Sequence, residues 1–109
     1  MPESMVQKKI SEMVRRIVER FHPEKIILFG SHARGTAGPD SDVDLLVVMP
    51  VQGSRRQKAT EIDLLLSDRK IPLDLLVVTP EQFKRERDVI GTVIRPAAHE
   101  GKVLYERAA

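Results

Sequence analysis

The short loop between the first two apolar runs most constrains how this chain can fold. Residues 25–29 and 43–49 are rich in Ile, Leu and Val, so each run predicts a buried β-strand. Residues 30–41 between them are too few to contain the helix that joins two parallel strands. We therefore expect these strands to pair antiparallel, with the end of the first beside the start of the second.

The rest of the chain alternates between helical and strand patterns. Apolar side chains recur at helical spacing up to Phe21, which predicts an amphipathic first helix that ends before Pro23. Thr79 and Gln82 have the spacing of a capping box at a helix start. Pro96 is expected to kink or shorten the last helix. Further helices are predicted over residues 58–68, 80–87 and 89–100, and further strands over residues 73–78 and 102–105.

These elements predict a single small domain, residues 1–109. The strands over residues 43–49 and 73–78 flank a helix, so they should run parallel through a right-handed crossover. One antiparallel and one parallel pair together make a small mixed β-sheet with helices packed on it, an α/β (α+β) fold. Because aromatic residues make up only 4% of the chain, the core is expected to consist of Leu, Ile and Val.

The composition excludes several classes of protein. The chain has no cysteine, so it has neither disulfides nor a thiolate zinc site. No apolar run approaches the ~20 residues of a membrane span, and the N-terminus lacks the apolar core of a signal peptide. The few aromatic residues argue against a stacking surface for single-stranded nucleic acid. We expect a cytoplasmic protein without a direct nucleic-acid or membrane partner, and a homo-oligomer is compatible with the sequence.

Three aspartates are expected at one edge of the sheet. Asp42 and Asp44 are two residues apart at the start of the second strand, so their side chains should point to the same face. If the second and third strands are parallel neighbours, Asp74 comes to the same edge. Neighbouring carboxylates repel, and Asp74 stands in an otherwise apolar strand. A shared proton or bound cations are expected to offset both costs.

A glycine–serine turn, Gly30-Ser31, ends the first strand beside these carboxylates. Backbone N–H groups in such a turn can hold phosphate oxygens, and carboxylates are ligands that Mg²⁺ prefers. Two such ions about 3.5–4 Å apart can hold the attacking and leaving oxygens of an in-line displacement. The pattern indicates magnesium and a nucleoside triphosphate, with Arg34 available to neutralise triphosphate charge.

At these positions the chain resembles the DNA polymerase β-like nucleotidyltransferase superfamily. The likeness is to its smallest members, the minimal nucleotidyltransferase (MNT) domain proteins, and extends over nearly the whole chain. Their signature is Gly-Ser-x-Ala-Arg-Gly, then Ser-Asp-x-Asp-Leu, then a third aspartate on a later strand. Here residues 30–35 read Gly-Ser-His-Ala-Arg-Gly, residues 41–45 read Ser-Asp-Val-Asp-Leu, and Asp74 is the third aspartate.

The resemblance implies a nucleotidyltransferase fold and magnesium-dependent transfer of a nucleoside monophosphate, AMP above all, from a triphosphate such as ATP to an acceptor. It implies that Asp42, Asp44 and Asp74 are the catalytic and metal-binding residues. The residues it implies for nucleotide binding are Gly30, Ser31, Arg34 and Ser41. Proteins of this kind often act as the antitoxin of a HEPN-domain partner, a helical ribonuclease toxin, in some systems by adenylylating it.

Other interpretations of the same residues stay open. The chain could be a binding antitoxin that occludes its partner without catalysis, or could nucleotidylate a small molecule, as aminoglycoside-modifying relatives do. Asp74 could be an exposed residue at a strand start, and Arg34 could pair with Asp40 or stay solvated. His32 is expected to be exposed. The sequence leaves open the acceptor, the base preference, the oligomeric state and the number of metal ions.

Overall fold

A computed structural model describes residues 5–38 and 40–108 as a four-stranded sheet with helices on both faces. The helices are α1 (Met5–Phe21), α2 (Ser31–Arg34), α3 (Arg55–Leu65), α4 (Pro80–Glu86) and α5 (Ile94–Glu100). The strands are β1 (Lys25–Phe29), β2 (Val43–Val48), β3 (Leu73–Val78) and β4 (Lys102–Glu106). Within the described ranges, no helix has the length and apolar character needed to cross a lipid bilayer.

The order of the strands across the sheet is β3-β2-β1-β4. β1 pairs antiparallel with β2, and β2 pairs parallel with β3 through the crossover helix α3. Both pairings agree with the predictions, which rested on the short loop for the first pair and on the intervening helix for the second, and the predicted mixed sheet of an α/β fold is confirmed. β4 pairs antiparallel with β1, with an irregularity between Ile26 and Ile27.

Each face of the sheet carries its own hydrophobic core, because successive side chains of a strand point to opposite faces. On one face Leu45 and Val47 pack with α1 and α3, whose fully buried members include Ile17 and Ile62. On the other face Leu46 packs with residues of α4 and α5, including Phe83, Ile94 and Ala97. β2 is therefore buried on both sides, which explains its nearly continuous apolar sequence.

The crossover helix α3 begins three residues earlier than predicted. Its first residue is Arg55, and the Ser54 hydroxyl caps it by accepting a hydrogen bond from the Gln57 N–H at 3.1 Å. The sequence prediction began the helix at Lys58, where the apolar periodicity starts, and placed Arg55 and Arg56 in a loop. Ser54 was the signal for the true start, because serine is a preferred N-cap residue.

The last predicted helix is shorter than expected because residues 87–93 form turns and α5 begins at Ile94. Proline lacks the N–H that a helix interior requires and is tolerated in the first turn. Pro96 lies in that first turn, and the Thr92 hydroxyl accepts a hydrogen bond from the Arg95 N–H at 3.2 Å. The expected shortening by Pro96 thus occurs at the start of the helix.

Because β2 is buried on both faces, we expect truncation of a core side chain on either face to destabilise the protein to a similar extent. Leu45→Ala and Leu46→Ala each leave a cavity at a position that is 0% exposed, so each should lower the free energy of unfolding by about 2–5 kcal/mol. Leu64→Ala is the matched control, because Leu64 is 66% exposed; its effect should stay within about 0.5 kcal/mol. Urea unfolding measures all three, and a tolerated change at either β2 position would contradict the two-faced core.

Candidate active site

Asp44 and Asp74 lie side by side on neighbouring parallel strands. They are register partners in the pairing of β2 with β3, and strands so paired are about 4.8 Å apart. On the other side of β2, Asp44 is the register partner of Phe29, the last residue of β1. The end of β1 and the starts of β2 and β3 thus meet at one edge of the sheet, as the loop lengths predicted.

The electrostatic surroundings of Asp44 raise its pKa above the ordinary value. The largest cause is its partial burial, which removes water from the carboxylate, followed by the negative charges of Asp74 and Asp42. The positive charges of His32 and Arg34 act in the opposite direction. These contributions place all three predicted aspartates in one electrostatic neighbourhood, with Asp44 at its centre.

The three aspartates differ in how far their side chains are buried. Asp44 is half-buried, whereas Asp42 and Asp74 are both exposed. The sequence argument that a buried Asp74 needs a partner therefore fails, because water already solvates this side chain. What brings Asp74 into the site is its register with Asp44. Exposed side chains change rotamer within picoseconds to nanoseconds, so Asp42 and Asp74 are free to turn toward a ligand.

Gly30 makes room for Asp44. A Cβ atom built on Gly30 would lie 2.2 Å from Oδ2 of Asp44, far inside van der Waals contact. The backbone of Gly30 has φ 74° and ψ −155°, a region that is essentially restricted to glycine. The first glycine of the motif is thus required twice, by its backbone conformation and by the close approach of a carboxylate.

The loop between α2 and β2 is held by hydrogen bonds that involve Ser41. The Ser41 hydroxyl accepts from the Gly38 N–H at 2.8 Å, and Nε2 of His32 lies 3.1 Å from the Ser41 carbonyl oxygen. His32 is half-buried rather than exposed, which corrects the sequence expectation. It holds the segment that leads into Asp42, a role that its position within the motif did not reveal because the bond spans nine residues.

Arg34, at the end of α2, is exposed, and its charge reaches Asp44. Ion pairs between described residues do not include one between Arg34 and Asp40, although the sequence left that pairing open. α2 is followed by Gly35 in the left-handed conformation, whose N–H bonds the Ser31 carbonyl. Within the described part of the chain the Arg34 guanidinium forms no ion pair, so it can interact with an anion from outside.

The donor set suits a hard cation, although the side chains are not arranged as a complete metal site. Among residues 5–38 and 40–108, no group of three or more His, Cys, Asp or Glu side chains is already placed to hold a metal ion. The chemistry fits nonetheless, because carboxylate oxygens are the preferred ligands of Mg²⁺ and a cation would relieve the repulsion at Asp44. Two cavities, of about 580 and 590 Å³, are not lined by these aspartates, although His32, Gly35 and Gly38 of the motif loop line the first.

Comparison with known proteins assigns the chain to a family. The family described as the nucleotidyltransferase domain matches residues 8–104. The chain belongs to this nucleotidyltransferase family. It is also 33% identical over 104 residues to "Putative protein adenylyltransferase MJ0604" of Methanocaldococcus jannaschii, a match that covers 91% of this chain and 97% of the relative. The chain is thus a nucleotidyltransferase, and the resemblance seen in its motifs is confirmed.

The chain is also similar to a second relative and to two solved structures. "Putative protein adenylyltransferase MJ1305" of the same organism is 43% identical over 58 residues, 51% of this chain and 40% of the relative. The crystal structure of a "putative nucleotidyltransferase" from Sulfolobus solfataricus has a TM-score of 0.58 at 22% identity, covering 92% of this chain and 79% of that one. A toxin–antitoxin structure with AMP-PNP has a TM-score of 0.55 at 19% identity, covering 89% and 73%. These structures confirm the fold.

Substitution of Gly30 tests the contact with Asp44. Gly30→Ala should lower the free energy of unfolding by at least about 2 kcal/mol, through a strained backbone and the clash with Oδ2. Gly35→Ala is the control, because Gly35 also has positive φ but nothing lies within 4 Å of its added Cβ; it should cost only about 1–2 kcal/mol. The free energies of urea unfolding of Gly30→Ala, Asp44→Ala and the double variant form a double-mutant cycle. Asp44→Ala should recover part of the Gly30→Ala loss, and strict additivity would contradict the clash.

The raised pKa of Asp44 predicts how stability depends on pH. Between the ordinary value, 3.8, and the higher pKa of the folded protein, the folded state holds a proton that the unfolded chain has lost. The contribution of Asp44 to stability therefore falls as pH rises through this window and remains unfavourable at neutral pH. Asp44→Asn should raise the free energy of unfolding at pH 7, and its advantage should shrink near pH 3. Urea midpoints at both pH values measure this; a larger advantage at pH 3 would contradict it.

Proposed function

We propose that this nucleotidyltransferase moves AMP from ATP to a hydroxyl group of a partner protein, with Mg²⁺ held by Asp42, Asp44 and Asp74. The observation that carries the proposal is the register of Asp44 with Asp74, with Gly30 against the same carboxylate. The relative that covers almost the whole chain supports the protein acceptor, since its name describes it as a protein adenylyltransferase.

Magnesium bound to these carboxylates would neutralise triphosphate charge and lower the pKa of a coordinated hydroxyl. The chain would hold it with oxygen ligands alone, which is the donor chemistry that Mg²⁺ prefers. Asp44 is the central ligand because it is half-buried and feels the charges of both other aspartates. Asp42 and Asp74, being exposed, would turn inward to complete the set.

The glycine–serine turn and Arg34 would bind the nucleotide. The N–H groups of Ala33 and Arg34 bond the Gly30 carbonyl, which leaves those of Ser31 and His32 at the start of α2 to donate to phosphate oxygens. Arg34 adds a guanidinium that is not paired with Asp40 and can neutralise the phosphates. Ser41 contributes through the loop, because its hydroxyl and carbonyl are engaged by Gly38 and His32.

Asp74 is the residue best placed to act on the acceptor. It lies on β3, one of the two edge strands of the sheet, and its carboxylate is exposed. An acceptor hydroxyl that approaches from this side would meet Asp74 before Asp44. We propose that Asp74 orients this hydroxyl and accepts its proton as the oxygen attacks the α-phosphorus and pyrophosphate leaves.

We propose a HEPN-domain toxin as the partner, with the chain acting as its antitoxin. The support is the structural similarity to toxin–antitoxin structures, one of them titled MntA-HpeT, with a TM-score of 0.59 at 18% identity over 88% of this chain and 72% of that one. The same similarity favours a second candidate, in which the chain neutralises its toxin by binding alone. The two differ in whether the aspartates are needed.

Transfer of label tests the catalytic proposal. The chain and the protein that co-purifies with it are incubated with Mg²⁺ and ATP labelled at the α-phosphate. Label should appear on the partner with the wild type and fall by about 100-fold or more with Asp44→Asn, because the central metal ligand is lost. Asp40→Asn is the matched control, since Asp40 lies in the same loop and is exposed; its labelling should stay near that of the wild type.

Equal labelling by the wild type and Asp44→Asn, or none with either, would reject transfer to that partner. Growth in cells that produce the partner separates the two candidates. If Asp44→Asn still neutralises the partner, binding alone is the mechanism. If neutralisation is lost while the complex still forms, the chemistry at Asp44 is required.

A further inference from the structure

A groove of about 590 Å³ runs along the free edge of the sheet. Its floor is β3 from Leu75 to Val78, and it is called the β3 groove below. One wall is the start of α3 with Arg55 and Arg56, and the other is formed by α4 and residues 91–94. The aspartates of the active site do not line this groove, which begins one residue after Asp74.

The floor of the β3 groove offers backbone hydrogen bonds. The carbonyls of Pro72 and Val78 accept bonds from β2, at the Val43 and Met49 N–H groups. Because backbone groups of alternate residues turn to opposite sides of a strand, Leu75 and Val77 direct their N–H and C=O groups away from β2. β3 is an edge strand, so these groups face the groove, where they can pair with another extended chain.

The walls of the groove supply charge and an unpaired acceptor. Arg55 and Arg56 are exposed and form no ion pair among residues 5–38 and 40–108. Glu86, on the opposite wall, is already paired with Arg85 at 3.5 Å. Gln82 lines the groove as well, and its Oε1 is buried without a hydrogen-bond partner. The groove is thus basic on one wall and carries an unpaired hydrogen-bond acceptor on the other.

The rim of the groove is apolar. Val93 lines the groove, and Ile90, which is 83% exposed, is one residue before the groove residue Gly91. Large apolar side chains at this exposure usually mark a surface that meets a partner when they lie together. An extended segment with alternating side chains could place apolar ones against this rim and acidic ones toward Arg55 and Arg56.

We infer that the β3 groove binds an extended, acidic segment of the protein that accepts the nucleotidyl group. Backbone pairing with Leu75 and Val77 holds the segment, and Arg55 and Arg56 select its charge. The segment lies along the strand that carries Asp74, so its continuation past Leu75 leads a hydroxyl to that carboxylate. This last step rests on the proposed function, whereas binding in the groove does not.

A second copy of the chain fits this groove less well than an acidic segment. Two-fold pairing of one β3 edge with another would bring the same surface together from both copies. The Arg55–Arg56 wall would then be present twice at one interface, and like charges across an interface oppose association. Charge complementarity therefore favours a partner that carries carboxylates.

Binding of a designed peptide tests the inference. The probe is a fluorescent peptide of about ten residues that alternates Glu and Val and ends in Tyr, a typical strand length. It is titrated into the full chain without nucleotide or Mg²⁺, while the amide resonances of Leu75 and Val77 are followed by NMR. We expect saturable shifts of these amides, and no binding by a matched Lys–Val peptide or by one whose central valines are replaced with proline, which lacks the N–H.

Charge reversal of the wall provides the protein variant. Arg55→Glu with Arg56→Glu should weaken peptide binding by about tenfold or more. Acidic residues in the first turn suit the dipole of α3, so this variant should fold normally. Lys8→Glu with Lys9→Glu, an equal charge change at exposed positions of α1, is the control and should bind as the wild type does. Asp44→Asn should also bind the peptide normally.

The inference would be overturned by the absence of saturable binding, by equal binding of the proline peptide, or by an affinity that the charge reversal leaves unchanged. Concentration-dependent dimerisation that shifts the same amides would assign the groove to a second copy. Displacement of the peptide by a single-stranded RNA oligonucleotide that shifts the same amides would assign it to nucleic acid. Each of these results leaves nucleotidyl transfer untouched, and equal labelling by the wild type and Asp44→Asn would reject transfer while leaving peptide binding intact, so the two proposals fail separately.

Discussion

The parallel pairing of β2 with β3 holds two carboxylates side by side, and the site depends on this arrangement. Asp44 and Asp74 share a register position, and partial burial, followed by the negative charges of Asp74 and Asp42, raises the pKa of Asp44. The pairing persists because the same strands continue into cores on both faces of the sheet, around Leu45 and Leu46. Burial of apolar side chains farther along the strands thus keeps the two carboxylates together despite their repulsion. A bound cation would relieve that repulsion.

Small residues and loop contacts adapt the backbone to these carboxylates. Gly30 leaves the space that Oδ2 of Asp44 occupies, in a backbone conformation that other residues do not adopt without strain. His32 and Ser41 join the two ends of the loop that connects β1 with β2. The turn at Gly30, the loop up to Ser41 and the start of β2 therefore position one another through these contacts.

Because β3 is an edge strand, the candidate site is more open on the β3 side than on the β2 side. β2 lies between β1 and β3, and Asp44 on it is half-buried, whereas β3 is an edge strand on which Asp74 is exposed. An open edge strand next to clustered carboxylates can pair with an extended segment of another protein. Under the two proposals, binding of the acceptor and nucleotidyl transfer would use neighbouring segments of one strand.

Sequence patterns were reliable where local chemistry decides the structure. The bounds of β1 and β3, the capping residue Thr79 and the antiparallel pairing of β1 with β2 were all predicted, because strand periodicity, capping and loop length act over a few residues. Short patterns also singled out the three aspartates and Gly30, and the structure brings Asp44, Asp74 and Gly30 to one edge of the sheet. The start of α3 was placed too late because apolar periodicity was weighed above Ser54, and α5 was placed too early because Pro96 permits only a first turn before it.

The sequence by itself determined the family, the order of the elements and the candidate site residues, because each of these depends on short local patterns. Only the tertiary structure decided that Asp74 is exposed and Asp44 half-buried, that His32 binds the Ser41 carbonyl, and that Arg55 and Arg56 stand beside an open strand edge. Burial and long-range hydrogen bonds depend on which segments pack together. That packing is a property of the whole chain, and a local pattern of residues does not contain it.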